Sequence, residues 1–180
     1  GGHYYGEDTE MVIWRAYASL MNDPNVTKVN QNIVGFDAPF LLYQNNIHTR
    51  GPLGDTMIAQ HIMYPDFPKG LDFITSIHTR IPYYKDEGKM WRSPNDWEMF
   101  WRYNGKDGVA ALIAWRSLEK EMTDMGFWHT YNMTVEMADP LLYMATCGLR
   151  INFHLLEETR KDIESQIEEA ERELEEIAEW

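Results

Sequence analysis

The stretch from Leu156 to Ile177 constrains this chain more tightly than any other part of it. Leu156, Ile163, Ala170 and Ile177 recur every seven residues, and Ile167 and Leu174 fall between them. That spacing returns apolar side chains to one face of a helix every two turns, the geometry of a coiled-coil seam. The remaining positions are mostly Glu, with some Arg and Lys, so most of the acidic excess reads as a solvated helix face. A stripe this narrow predicts one long helix with a partner helix laid along it. The sequence reaches Trp180 without supplying that partner, and it opens Gly-Gly-His with no Met. Both ends therefore read as those of a piece of a longer protein.

A length of 180 residues suits one domain, or one domain with an appendage, and can bury a sizeable core. Hydrophobic residues at 44% and aromatic residues at 13% place the chain among folded proteins. The net charge of −13 argues against broad, nonspecific binding to a nucleic-acid backbone. It leaves room for a nuclease, which uses acidic residues to hold cations and needs only a local path for the strand. The lone cysteine, Cys147, excludes an internal disulfide and any multi-cysteine zinc site, and points to a reducing compartment. No apolar run approaches membrane-spanning length and no signal peptide is visible, so no membrane partner is expected.

Taken in order, His3-Tyr4-Tyr5 reads as the tail of a strand. Asp8 and Thr9 are candidate caps of a helix carrying Met11, Ile13, Trp14, Tyr17, Ala18 and Met21, which stops at Asn22-Asp23-Pro24-Asn25. Asp8-Thr9-Glu10 invites a metal-binding reading. The helical periodicity that follows it, and the preference of a first turn for acidic residues, argue against one. Val26 to Val29 reads as a short β-branched strand, and Ala38 to Tyr43 as a helix with Pro39 in its first turn. Asp37 thus falls where a strand gives way to a helix, a place where α/β proteins gather ligand groups; capping that helix is its simpler role. Asp55-Thr56 caps a helix through Ile58, His61, Ile62 and Met63, and a further helix carries Leu71, Phe73, Ile74 and Ile77. His61 and His78 lack a metal-ligand partner at short spacing and read as surface or packing histidines. Residues 81–89 read as a polar loop, and Ser93-Pro94-Asn95-Asp96 as the cap of a helix running to Met125. On that helix Tyr103 and Asp107 lie four apart, so they share one face. Met133-Thr134-Val135 reads as extended, Pro140 to Ala145 as an apolar helix ended by Gly148, and Arg150-Ile151-Asn152 as a link into the heptad helix.

Three separated segments carry a resemblance. Asn32-Ile33-Val34-Gly35-Phe36-Asp37 resembles the second exonuclease motif of proofreading domains: an Asn, a short gap, an aromatic and an Asp. Tyr103-Asn104-Gly105-Lys106-Asp107 resembles their third motif, a Tyr and an Asp with three residues between. Between them, Asp55-Thr56-Met57 and the Leu71-Asp72-Phe73-Ile74 helix resemble the strand-to-helix passage of those domains. The tail from Pro140 through Asn152 and the heptad helix resembles the start of the polymerase domain in family A DNA polymerases of phage or bacterial type, whose thumb is a pair of long helices.

That resemblance implies an α/β, ribonuclease-H-like (DnaQ-like) 3′–5′ exonuclease fold over residues 1–128, mostly helical here and lacking its first strands. Residues 129–180 would be the linker and first helices of the polymerase domain. In the family, carboxylates hold two divalent ions, Mg²⁺ or Mn²⁺, that hydrolyse the 3′-terminal nucleotide of a single DNA strand. Carried over by residue, Asp37 and Asp107 would be metal ligands, and Tyr103 would orient the attacking water. Asn32 and Phe36 would contact terminal nucleotides, and Asp55 would be a structural cap. The implied partners are a single-stranded DNA 3′ end and the remainder of a polymerase chain, and the implied location is the cytoplasm of a bacterial or phage-infected cell. The family's first motif, an Asp-x-Glu on the opening strand, has no counterpart, because Asp8-Thr9-Glu10 leads straight into a helix. The isolated chain is therefore expected to be weak or inactive as a nuclease. The alternative expectation is a helical interaction module that self-associates through residues 155–180.

Overall fold

The computed structural model of the chain describes residues 5–90 and 97–178. The strand expected at His3-Tyr4 and the cap expected at Ser93 to Asp96 lie outside the described residues. The chain divides into two compact units between Tyr143 and Met144.

The first unit begins with α1 (Glu7–Asn22), capped by the backbone of Gly6 rather than by Asp8 or Thr9, with Glu7, Asp8 and Glu10 in its first turn. Strand β1 (Lys28–Asn30) leads into a π-helical turn (Ile33–Asp37) and directly into α2 (Ala38–Asn45). Strand β2 (Leu53–Asp55) feeds α3 (Thr56–Met63), followed by α4 (Leu71–His78), the short α5 (Asp86–Met90), the long α6 (Trp97–Met125) and α7 (Trp128–Glu136). Helix α8 (Ala138–Cys147) crosses the boundary between the units. Among the described residues the architecture is mostly helical, with one small parallel sheet pairing Lys28 with Leu53, Val29 with Gly54 and Asn30 with Asp55.

The core lies between that sheet and α6. Ala59 and Met63 of α3, Ile74 of α4, Ala114, Trp115, Leu118 and Met122 of α6 and Tyr131 of α7 form one buried cluster. Gly54 is required there by close approach: a Cβ on it would come within 2.8 Å of the Trp115 ring and 2.9 Å of Val29. The sheet can therefore press directly against the indole. One expectation is corrected at α7. Met133-Thr134-Val135 is helical, not extended, because Tyr131 on the same helix is drawn into the core beside Trp115 and Trp128. That burial outweighs the weak strand preference of Thr and Val. The same packing puts Trp128 and Tyr131 inside the first unit, which runs to Tyr143. Residues 86–90, expected as loop, form α5.

In the second unit, α8 ends where Gly148 turns into the left-handed region (φ 64°). Asn152 then caps α9 (Phe153–Ala178), its Oδ1 accepting from the amides of His154 at 3.1 Å and Leu155 at 3.2 Å. The heptad residues Leu156, Ile163, Ile167, Leu174 and Ile177 are all exposed along α9, flanked by ion pairs such as Arg160 with Glu157 and Glu164. No helix among the described residues is long and apolar enough to cross a membrane.

Candidate functional site

The first group is built on Asp55, the last residue of β2. Its side chain is fully buried and accepts four backbone N–H donors. Met57 (2.9 Å) and Ile58 (3.2 Å) belong to the first turn of α3, the cap that the sequence predicts. Asn32 (3.1 Å) and Val34 (3.1 Å) belong to the π-helical turn across the sheet. One carboxylate thus satisfies orphan donors at the start of two helical segments, which is where negative charge is favoured. Burial pulls the Asp55 carboxyl above the usual range and outweighs the opposite pull of the four amides. On the other side, the Asp55 N–H donates to the Tyr131 hydroxyl at 2.7 Å, and that hydroxyl donates to the Leu53 carbonyl at 2.9 Å.

This anchoring fixes Asn32, which sits in the left-handed region (φ 56°). Gly35 leaves room for it, since a Cβ there would lie 2.4 Å from Asn32 Oδ1. The turn closes with the wide bond from the Ala38 N–H to the Ile33 carbonyl. Asp37 ends the turn and makes no side-chain cap of α2; it instead accepts from Asn30 Nδ2 at 3.3 Å, with Tyr17 of α1 near enough to feel its charge. The Asp37 carboxyl is held above the usual carboxylate range by its burial, with the Asp55 charge adding to the shift; its backbone hydrogen bond and Asn30 act against it. Phe36 is 63% exposed and stacks on Phe40, ring planes 13° apart and centroids 6.1 Å apart.

The raised Asp37 value has a sign that can be measured. The folded chain takes up this proton at a higher pH than the unfolded chain. The group's contribution to stability is therefore complete below the unfolded carboxylate value, near about 4, and fades as pH rises through the folded one. In chelator-treated buffer, the Tm of wild type relative to Asp37→Asn should rise as pH falls from about 7 toward about 4. A wild-type Tm that falls relative to Asp37→Asn on acidification would contradict the burial of this carboxyl.

The second group lies on α6. Tyr103 and Asp107 share a face, as their spacing predicts, and both turn toward one cation. Lys85 Nζ stands 2.6 Å from Asp107 Oδ1 and 3.4 Å from the Tyr103 hydroxyl, and 5.3 Å from the ring centroids of both Tyr84 and Tyr103. The Tyr84 hydroxyl donates to the same Asp107 oxygen at 2.6 Å. Burial pushes the Tyr84 phenol up, and its bond to Asp107 pushes it further. For Lys85, burial opposes the charge, but Asp107 and Tyr103 outweigh it and hold the ammonium above the usual lysine range. Helix α5 can lie this close because Gly88 faces the Tyr103 ring, where a Cβ would come within 2.8 Å of Cζ. A further tie joins Lys106 to Glu87.

Asn32, Phe36 and Asp37 are thus placed together, as are Tyr103 and Asp107. None of the interactions described here joins one group to the other. His61 is exposed, whereas His78 packs between Glu121 Oε1 and Gln60 Oε1, each 3.0 Å from a ring nitrogen. Tyr84, Lys85 and Phe40 were not expected from the sequence, and the only local signal for the first two is the aromatic-and-basic run Tyr83-Tyr84-Lys85. No protein-family model matches this chain, and no curated protein matches it.

Set against a divalent-ion site, the two groups behave differently. Asp37 offers a half-buried carboxylate, a hard oxygen donor of the kind Mg²⁺ or Mn²⁺ takes, with Asn30 Nδ2 on one oxygen, but the Asp55 carboxylate is fully buried and already accepts from four backbone N–H groups. At Asp107 the fit fails as the side chains stand, because one carboxylate oxygen already carries an ammonium and a phenol.

Proposed function

We propose that this chain is the portion of a ribonuclease-H-like 3′–5′ proofreading exonuclease that carries the second and third motifs, joined to the first helices of a family A DNA polymerase. The observation that carries this reading is the convergence of the Tyr103 hydroxyl and the Asp107 carboxylate on a single cationic centre, Lys85 Nζ. A phenol and a carboxylate aimed at one point are the pair needed to hold and orient a water beside positive charge. In such an enzyme the two divalent ions supply activation of water and stabilisation of the leaving oxygen. The protein's part would be to orient: Tyr103 the water, Asn32 the terminal nucleotide, and the exposed Phe36 ring a terminal base by stacking. The parallel strand pair, each strand leading into a helical segment, is the kind of strand-to-helix passage that an α/β sheet uses.

The test is a single-stranded DNA oligonucleotide labelled at its 5′ end, incubated with this chain and Mn²⁺. Slow shortening from the 3′ end, lost in Asp107→Ala and in Asp37→Ala, is the expected result. Trimming that survives Asp107→Ala, or a chain that neither trims nor retains the oligonucleotide, would overturn the reading.

A further inference from the structure

We propose that α9 pairs with the α9 of a second copy of this chain, parallel and in register, as a two-stranded coiled coil. The proposal stands on α9 itself and does not depend on the exonuclease reading. Every described residue of α9 is exposed, so its apolar stripe has no cover within the chain. The stripe follows one heptad register. Leu156, Ile163, Ala170 and Ile177 take the d positions, and Phe153, Ile167 and Leu174 take a positions. The remaining a position holds Arg160. With 26 residues, α9 fills more than three heptads, the length from which such a seam points to a coiled coil.

The flanking charges select the occupant and its direction. Glu157, Glu164 and Glu171 stand at e positions, and Thr159, Gln166 and Glu173 at g positions. In a parallel pair, each g residue faces the e residue of the partner's next heptad. Thr159 then lies beside the partner copy's Glu164, and Gln166 beside its Glu171, an amide able to donate to a carboxylate. Glu173, the acidic g residue, faces Ala178. No two carboxylates meet across the seam. An antiparallel pair sets e against e, so Glu164 would meet its own copy and Glu157 would meet Glu171. Like charges held that way oppose the antiparallel form. Arg160 sets the register, because a single polar residue at an a position favours alignment with its own copy. Its charge is already matched on the e side of the seam, by Glu157 at 2.6 Å and Glu164 at 2.7 Å. Two such groups therefore meet as neutralised sets rather than as bare cations.

Sedimentation equilibrium of the full chain tests the pairing. The average mass should climb toward twice that of the monomer between about 1 and about 100 µM. Raising NaCl from about 0.05 to about 0.5 M should strengthen association, since each copy carries a net charge of −13 and the seam is apolar. Ile163→Glu combined with Ile167→Glu should hold the chain at the monomer mass. Thermal unfolding of the first unit should be unchanged in that variant, because α9 contributes to neither buried cluster. Direction is read from cross-linking in oxidised glutathione after Cys147→Ser. Adding Ala170→Cys puts two d residues face to face and should give a disulfide between copies, whereas Ser165→Cys, on the far side of the helix, should not. A chain that stays monomeric, weakens with salt or still pairs with both isoleucines replaced would overturn the proposal, leaving the stripe for a foreign helix. A dimer that fails to cross-link through Ala170→Cys, or cross-links equally through Ser165→Cys, would overturn the parallel register.

Discussion

Asp55→Ala should lower the unfolding free energy by about 3–5 kcal/mol, because it strips four buried backbone donors of their acceptor at once. Loss of an exposed helix cap costs about 1 kcal/mol. Here the caps of two segments disappear together, inside the protein, and the vacated volume is surrounded by backbone. Urea denaturation should show the midpoint falling with little change in slope. Hydrogen exchange should accelerate at the amides of Asn32, Val34, Met57 and Ile58 in particular. A loss below about 1 kcal/mol would mean that water enters and replaces the carboxylate, and that the π-helical turn is held by something else.

Tyr131→Phe removes one oxygen atom and should still cost about 2–4 kcal/mol. That oxygen accepts from the Asp55 N–H and donates to the Leu53 carbonyl, and both Asp55 and Tyr131 are buried. The ring itself would keep its packing against Trp115 and Trp128, so the effect isolates the hydrogen bonds from the core. Thermal or urea unfolding measures it directly. Because both substitutions act on the end of β2, the double variant should lose less than the sum of the two. Full additivity, or a Tyr131→Phe variant as stable as wild type, would show that α7 does not brace the strand.

These two residues illustrate what the sequence could and could not reveal. Helices with a long apolar rhythm were legible: α6 runs to Met125 and α9 follows the heptad stripe, as expected. So was the Asp55 cap of α3, since an Asp before a helix start is a local signal. Its second role was not, because Asn32 and Val34 reach it across the sheet from more than twenty residues away. Strand β2 spans three residues and includes a glycine, too short for alternation to show; it exists because Gly54 lets it sit on Trp115. At α7, Thr134 and Val135 suggest a strand locally, and only the burial of Tyr131 reverses that. In the candidate site, the pairing of Tyr103 with Asp107 followed from helical spacing alone. Lys85 did not, since it reaches Asp107 from 22 residues away in sequence and depends on the missing side chain of Gly88.

The wide turn at Ile33–Asp37 gives the spacing of the first group a mechanical meaning. Each residue of a regular helix advances the side chain by about 100° around the axis. A turn closed five residues on, rather than four, therefore carries the chain one step further round before α2 begins. The number of residues between Asn32 and Asp37 acts like a length of screw thread. Shortening it by one would swing the Asp37 carboxylate away from Asn30 while leaving every residue type in the motif unchanged.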